Sequence, residues 1–240
     1  MFPVSVCLRI EAKRFVEEET QRKPIGSKRV PDLPFSGGAT KMVALLKMNE
    51  RYLRWYSPWL SREFEMLAFG NGGGLPLVIF PTSFGRYYQN RDFGLVGSVS
   101  EFVNAGSVTV YCPDAIDLES FYNKSIHPAD RMRTHHAYEN VIVQDVFDLA
   151  RRECSAPRVA VCGASLGAYH AANIAFRHPD TVSLLISLSG SFDISSFFDG
   201  YRDDNIYFNS PYEYLPNMPD PWKYNHMHHH RHRRMGQHTG

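Results

Sequence analysis

The sequence predicts a three-layer α/β fold around a mostly parallel sheet, and three features carry that prediction. Short β-branched or continuous apolar runs recur at residues 75–80, 108–112, 159–162 and 182–188, with helical patterns between them. Such alternation is how parallel strands joined by crossover helices read in a sequence. Breakers follow the runs at once, as Pro81, Pro113 and Ser189-Gly190, which opens the strand ends into loops. One run leads into Gly163-Ala164-Ser165-Leu166-Gly167 and then an Ala-rich helical pattern: a strand, a sharp turn and a helix in succession.

In chain order, residues 1–47 carry nine basic and five acidic side chains, many breakers and a weak amphipathic piece near Phe15. They read as an irregular leader, with Met48 a candidate start. Residues 52–55 and the alternating apolar positions Phe64, Met66 and Ala68 predict antiparallel strands around a Ser57-Pro58 turn. Residues 75–80 form a continuous apolar run suited to a central strand, and residues 95–104 a helix stopped by Ala105-Gly106. After the strand at 108–112 comes a long connection, 114–133, and then a helix beginning near Thr134. That helix buries Ile142, Val146, Leu149 and Ala150 and turns Glu139, Asp145, Asp148 and Arg152 outward. Residues 191–222 hold eight Phe or Tyr among many breakers, and read as short elements overhanging the strand ends, the lip of a substrate pocket.

Composition narrows the function classes. Residues 48–220 carry thirteen basic and twenty acidic side chains, a net charge of −7, so no basic groove is available to track phosphates and nucleic acid is not expected as a partner. No apolar run approaches the eighteen or so residues of a membrane span, and Arg9, Lys13 and Arg14 interrupt any signal-peptide core. Cys7, Cys112, Cys154 and Cys162 follow no metal or disulfide spacing. They suit buried free thiols in a reducing compartment. The expectation is a soluble cytoplasmic protein.

The chemistry centres on Ser165. A nucleophile at so tight a turn needs small neighbours, and Gly163 and Gly167 supply them. At a helix N-terminus, the Leu166 N–H would stabilise an oxyanion with help from the helix dipole. The loop at residues 81–88 follows a strand end, where a second donor belongs; the N–H of Ser83 or of Phe84 is the candidate, with the choice between them left open. Ser83 lacks the flanking glycines of a rival nucleophile, and Tyr87 and Tyr88 read as packing or pocket wall. His135 and His136, adjacent on a helix, point in different directions and read as satisfied surface or supporting residues before metal ligands; no metal or other cofactor is implied. His170 lies five residues after Ser165 on the same helix, so its ring is expected to point away from the hydroxyl.

Together, VCGASLGAYHAA, the PTSFG loop and LSGSFD resemble the putative esterase family, the esterase D-like branch of the α/β-hydrolases, over about residues 48–225. The resemblance implies a serine hydrolase acting on small-molecule carboxylic esters through an acyl-enzyme, with a histidine as base and a carboxylate orienting it in the chain order Ser, Asp, His. Residues 226–240, His- and Arg-rich and patternless, do not look like hydrolase sequence. A metal-binding tract, an added tag and a shifted reading frame are the readings of this tail. The last is favoured by the alternative frame, which permits Ile-Gly-Thr-Gly-Glu-Trp-Asp. The expected domain is therefore truncated at 48–225, lacking its last strands, its acid and its base, and impaired in turnover. Asp193 is the fallback acid, although capping the next helix is its more ordinary role. A catalytically dead binding module using the aromatic lip and an acyltransferase using the same serine are the alternatives.

Overall fold

The computed structural model describes residues 48–219, so the leader at 1–47 and the tail at 226–240 lie outside the described residues. Six strands form one sheet in the order β1-β2-β4-β3-β5-β6. β1 (Glu50–Ser57) and β2 (Arg62–Phe69) make the expected hairpin, with Leu53 opposite Met66 and Trp55 opposite Phe64. β2 runs antiparallel to β4 (Val108–Pro113). β4, β3 (Leu75–Phe80), β5 (Val159–Ala164) and β6 (Val182–Leu188) are mutually parallel.

The continuous apolar runs are explained by cover on both faces of the sheet. In β3, Val78 and Phe80 enter one core, while Leu77 and Ile79 enter the other. Three short helices follow β3, α1 (Gln89–Asp92), α2 (Leu95–Ser98) and α3 (Ser100–Asn104); α2 gives Leu95 and Val96 to the second core, α3 gives Val103, and Val99 joins them from the junction. On the opposite face lie α4 (Pro128–Asn140), a π-helical stretch (Val141–Val146), α5 (Phe147–Cys154) and α6 (Leu166–Arg177). The three-layer, mostly parallel α/β architecture is the one the sequence predicts. Among the described residues beyond β6 come short helices, α7 (Asp204–Tyr207) and α8 (Pro211–Tyr214), with single 3-10 turns.

Three expectations are corrected. The helix at 95–104 is broken, because Val99 leaves helical geometry at φ −110° between α2 and α3. The helix expected near Thr134 begins at Pro128. His127, in an extended conformation, accepts the Ala129 N–H on Nδ1, and Pro128 occupies the first helical position, where its missing N–H costs nothing. Glu139 is buried rather than outward, because Arg177 and His178 at the end of α6 both hydrogen-bond to its Oε1, at 2.8 and 2.6 Å. Burial alone would raise that carboxyl. Hydrogen bonds from His136, His178 and Arg177 outweigh burial and hold it far below the usual carboxylate range.

Candidate active site

Where β5 meets α6, Ser165 stands at φ 56° and ψ −121°, in a region that L residues rarely occupy and that costs roughly 1–3 kcal/mol. Hydrogen bonds over-determine the turn. The Ser165 N–H donates to the Leu188 carbonyl at 3.1 Å, and its own carbonyl accepts from Ala168, Tyr169 and Ser191 N–H groups at 3.1 to 3.3 Å. A Cβ added at Gly163 would lie 2.1 Å from the Gly167 carbonyl oxygen, and one added at Gly167 would lie 2.4 Å from the Pro81 carbonyl oxygen. With no side chains there, α6 lies flush on β5 and on the end of β3, and Ser165 is left exposed. The Leu166 N–H opens the helix without an intrahelical acceptor, at its electropositive end.

The contact between Gly167 and Pro81 sets the first turn of α6 beside the loop that follows β3. That loop is built as a turn closed by the Gly85 N–H to the Thr82 carbonyl at 2.9 Å, with Phe84 at φ 59°. Gln89 Oε1 accepts both the N–H and the hydroxyl of Thr82, each at 2.9 Å. Asp114, buried directly after β4, accepts Arg86 Nε at 2.8 Å and the Tyr87 N–H at 3.1 Å. Burial raises the Asp114 carboxyl, and Arg86 opposes the rise. Among the described residues no backbone hydrogen bond is made by the N–H of Ser83 or of Phe84, so both remain candidates.

The other sequence-derived candidates are distributed differently. Asp193 is exposed, and its Oδ1 accepts the Ser195 N–H at 2.9 Å, capping the short turn that follows. His170 is buried on α6, with Nε2 3.0 Å from Asp117 Oδ1 and its ring parallel to Phe121 at 5.9 Å. His135, expected at the surface or in support, is buried in the core. It stacks on Phe121 at 4.8 Å and faces Asn173, because α4 packs this turn against α6. Burial pushes its pKa well below the ordinary histidine value, and neighbouring His170 adds to the effect. His136 meets Asn209 and Glu139, and His178 meets Glu139. Thus each described histidine is engaged away from Ser165. Among the described residues no group of three or more His, Cys, Asp or Glu is arranged to hold a metal ion. Sequence reasoning missed the Asp114 and Gln89 anchors; the position of Asp114 immediately after a strand end was the available signal.

The family described as "Putative esterase" matches residues 89–239, well over half of the chain. The chain belongs to the putative esterase family. As a family member it is a carboxylic ester hydrolase by class. Solved structures similar to this esterase share its fold. S-formylglutathione hydrolase (FrmB) from Staphylococcus aureus aligns with a TM-score of 0.52 at 17% identity, over 71% of each chain. Fluorophosphonate-binding serine hydrolase F (FphF) from the same organism gives 0.55 at 16% identity, over 71% of this chain and 73% of its own. A ferulic acid esterase gives 0.56 at 15% identity, over 74% and 75%. Among curated proteins none matches. No described helix of the esterase is long and apolar enough to cross a membrane.

Proposed function

We propose that the chain acts on small-molecule carboxylic esters through an acyl-enzyme on Ser165. The observation that carries this reading is the exposed serine held at positive φ where β5 meets α6, beside unpaired N–H groups of Leu166 and of Ser83 or Phe84. In this scheme Oγ bonds to the ester carbonyl carbon as its proton passes to a base, and the carbonyl oxygen becomes an oxyanion held by those donors. Collapse breaks the bond to the alcohol, which takes up the proton; water then attacks the acyl-serine and releases the acid. Acyl transfer to another alcohol uses the same residues.

The described histidines hydrogen-bond or stack on other partners, so the base is not assigned among them; slow turnover is part of the proposal, since loss of a triad member removes several orders of magnitude in rate. A cytoplasmic site of action fits three buried, unpaired cysteines, Cys112, Cys154 and Cys162. The test is labelling by a fluorophosphonate, together with burst release from 4-nitrophenyl acetate. Both are expected in the wild type and neither in Ser165→Ala. Equal labelling and equal release in the two proteins would sink the assignment to Ser165, and absence of both from the wild type would leave the hydrolase-fold binding module as the reading.

A further inference from the structure

We propose that Phe84, Tyr122 and Phe197 form a subsite for a planar aromatic ring of the ester substrate; the inference rests on the reading of Ser165 and the loop after β3 given above. Phe84 combines two unfavourable features. Its backbone stands at φ 59°, the third position of a tight turn where glycine is the ordinary residue, and its ring is 54% exposed. Core packing therefore does not explain why a phenyl ring is there.

The ring is the outer end of an ordered wall. Phe84 lies against Tyr122 with centroids 4.1 Å apart, and Tyr122 meets Phe197 edge-on at 5.1 Å. Phe197 stacks nearly parallel on the fully buried Phe121 at 5.2 Å. Leu166, the residue after Ser165, belongs to the same buried cluster as Phe121, and Tyr122 and Phe197 pack against that cluster. The wall thus runs from a candidate oxyanion donor to the neighbour of the candidate nucleophile.

Two cations fix this wall before any ligand arrives. Arg131, 3% exposed, donates from Nε to the Asn123 carbonyl at 2.6 Å, and from one terminal nitrogen to the Phe197 carbonyl and Asp199 Oδ2, each at 2.7 Å. Lys124 Nζ reaches the same Phe197 carbonyl at 3.1 Å and Asp199 Oδ1 at 2.7 Å. Asp199 itself is held at φ 54° to stand between them. These bonds lock the loop after β4 to the loop after β6, so the aromatic faces need not be ordered on binding, which removes part of the usual entropic cost. Flat apolar rings gain on such a surface through offset or edge contacts that an alkyl chain of similar area does not make.

The test compares methyl cinnamate with methyl octanoate, and 2-phenylethyl acetate with octyl acetate, by NMR titration of Ser165→Ala protein, in which turnover does not interfere. A ring-bearing ester is expected to bind roughly three- to tenfold more tightly than its alkyl counterpart in at least one pair, the range that aromatic contacts supply. Which pair shows the effect identifies the acyl or the alcohol side as the ring's position. Phe84→Leu and Tyr122→Leu, added singly, keep apolar bulk and are expected to abolish the preference for the ring-bearing ester. Equal affinities in both pairs, or a preference that survives both leucine substitutions, overturn the proposal. Fluorophosphonate labelling of the wild type judges the Ser165 reading separately.

Discussion

Replacing Gly163 with Ala probes how closely the helix behind Ser165 must lie on its strand. The added Cβ would stand 2.1 Å from the Gly167 carbonyl oxygen, 2.2 Å from its carbonyl carbon and 2.7 Å from the Ala168 nitrogen. All three are backbone atoms in the first turn of α6, so no rotamer change relieves the clash. Reaching even the 3.0 Å that real Cβ atoms respect requires a retreat of about 0.9 Å. α6 cannot retreat alone, since every residue from Leu166 to Phe176 is buried and Gly167 already rests on Pro81. Forcing a well-packed element apart by such an amount costs typically 1–3 kcal/mol, and rigid backbone on both sides puts the expected loss near ~3 kcal/mol. Displacement of Ser165 by a comparable distance is expected to slow serine acylation about 100-fold. Denaturant unfolding and the rate of fluorophosphonate labelling read the two effects. The control is Gly97→Ala in α2, where a Cβ meets nothing within 4 Å and the backbone is ordinary; it is expected to be neutral or stabilising by up to about 1 kcal/mol. Gly163→Ala unfolding within about 0.5 kcal/mol of wild type, with unchanged labelling, would refute the close-approach argument.

Phe121→Ala removes a fully buried ring that contacts His135, Tyr169, His170, Phe197 and Phe198. A loss of about 3–5 kcal/mol is expected in denaturant unfolding. Acid should weaken the fold in two stages. His135 is held neutral by burial, so the unfolded chain gains protons that the folded chain does not as pH drops below the ordinary value of 6.5. The depressed carboxyl of Glu139 contributes stability that is present above its ordinary value of 4.5 and is lost as pH falls further. The denaturation midpoint is therefore expected to decline below about pH 6.5 and more steeply below about 4.5, with His135→Phe flattening the upper limb; a midpoint constant across both limbs would count against these assignments. Asp114→Asn leaves Arg86 without its buried partner and loosens the loop carrying Ser83 and Phe84. A fall of about tenfold in the labelling rate is expected, against a change in unfolding stability of no more than about 2 kcal/mol; unchanged labelling would show that this anchor does not shape the site.

The strands were legible because their signal is local. Runs such as residues 75–80 and 182–188 record cover on both faces of a parallel sheet, and the glycines at 163 and 167 record a turn too tight for side chains. Helix boundaries were less so, since the start at Pro128 depends on a cap made by His127, and the apparent continuity of residues 95–104 ignores the conformation that Val99 adopts against the sheet. The outward assignment of Glu139 failed because helical periodicity counts faces but does not know that Arg177 and His178 arrive opposite one of them.

By itself, then, the amino-acid order determined the layers, the parallel core of the sheet and the serine at the strand-to-helix junction, all of which depend on neighbours within a turn or a strand. Tertiary structure alone decided the pairings that build the surroundings: Arg86 with Asp114 across 28 positions, Asp117 with His170 across 53, Arg131 with Asp199 across 68. Each such pairing exists because the strand order brings separate loops and helices together, and nothing in the local period of either partner encodes the arrival of the other.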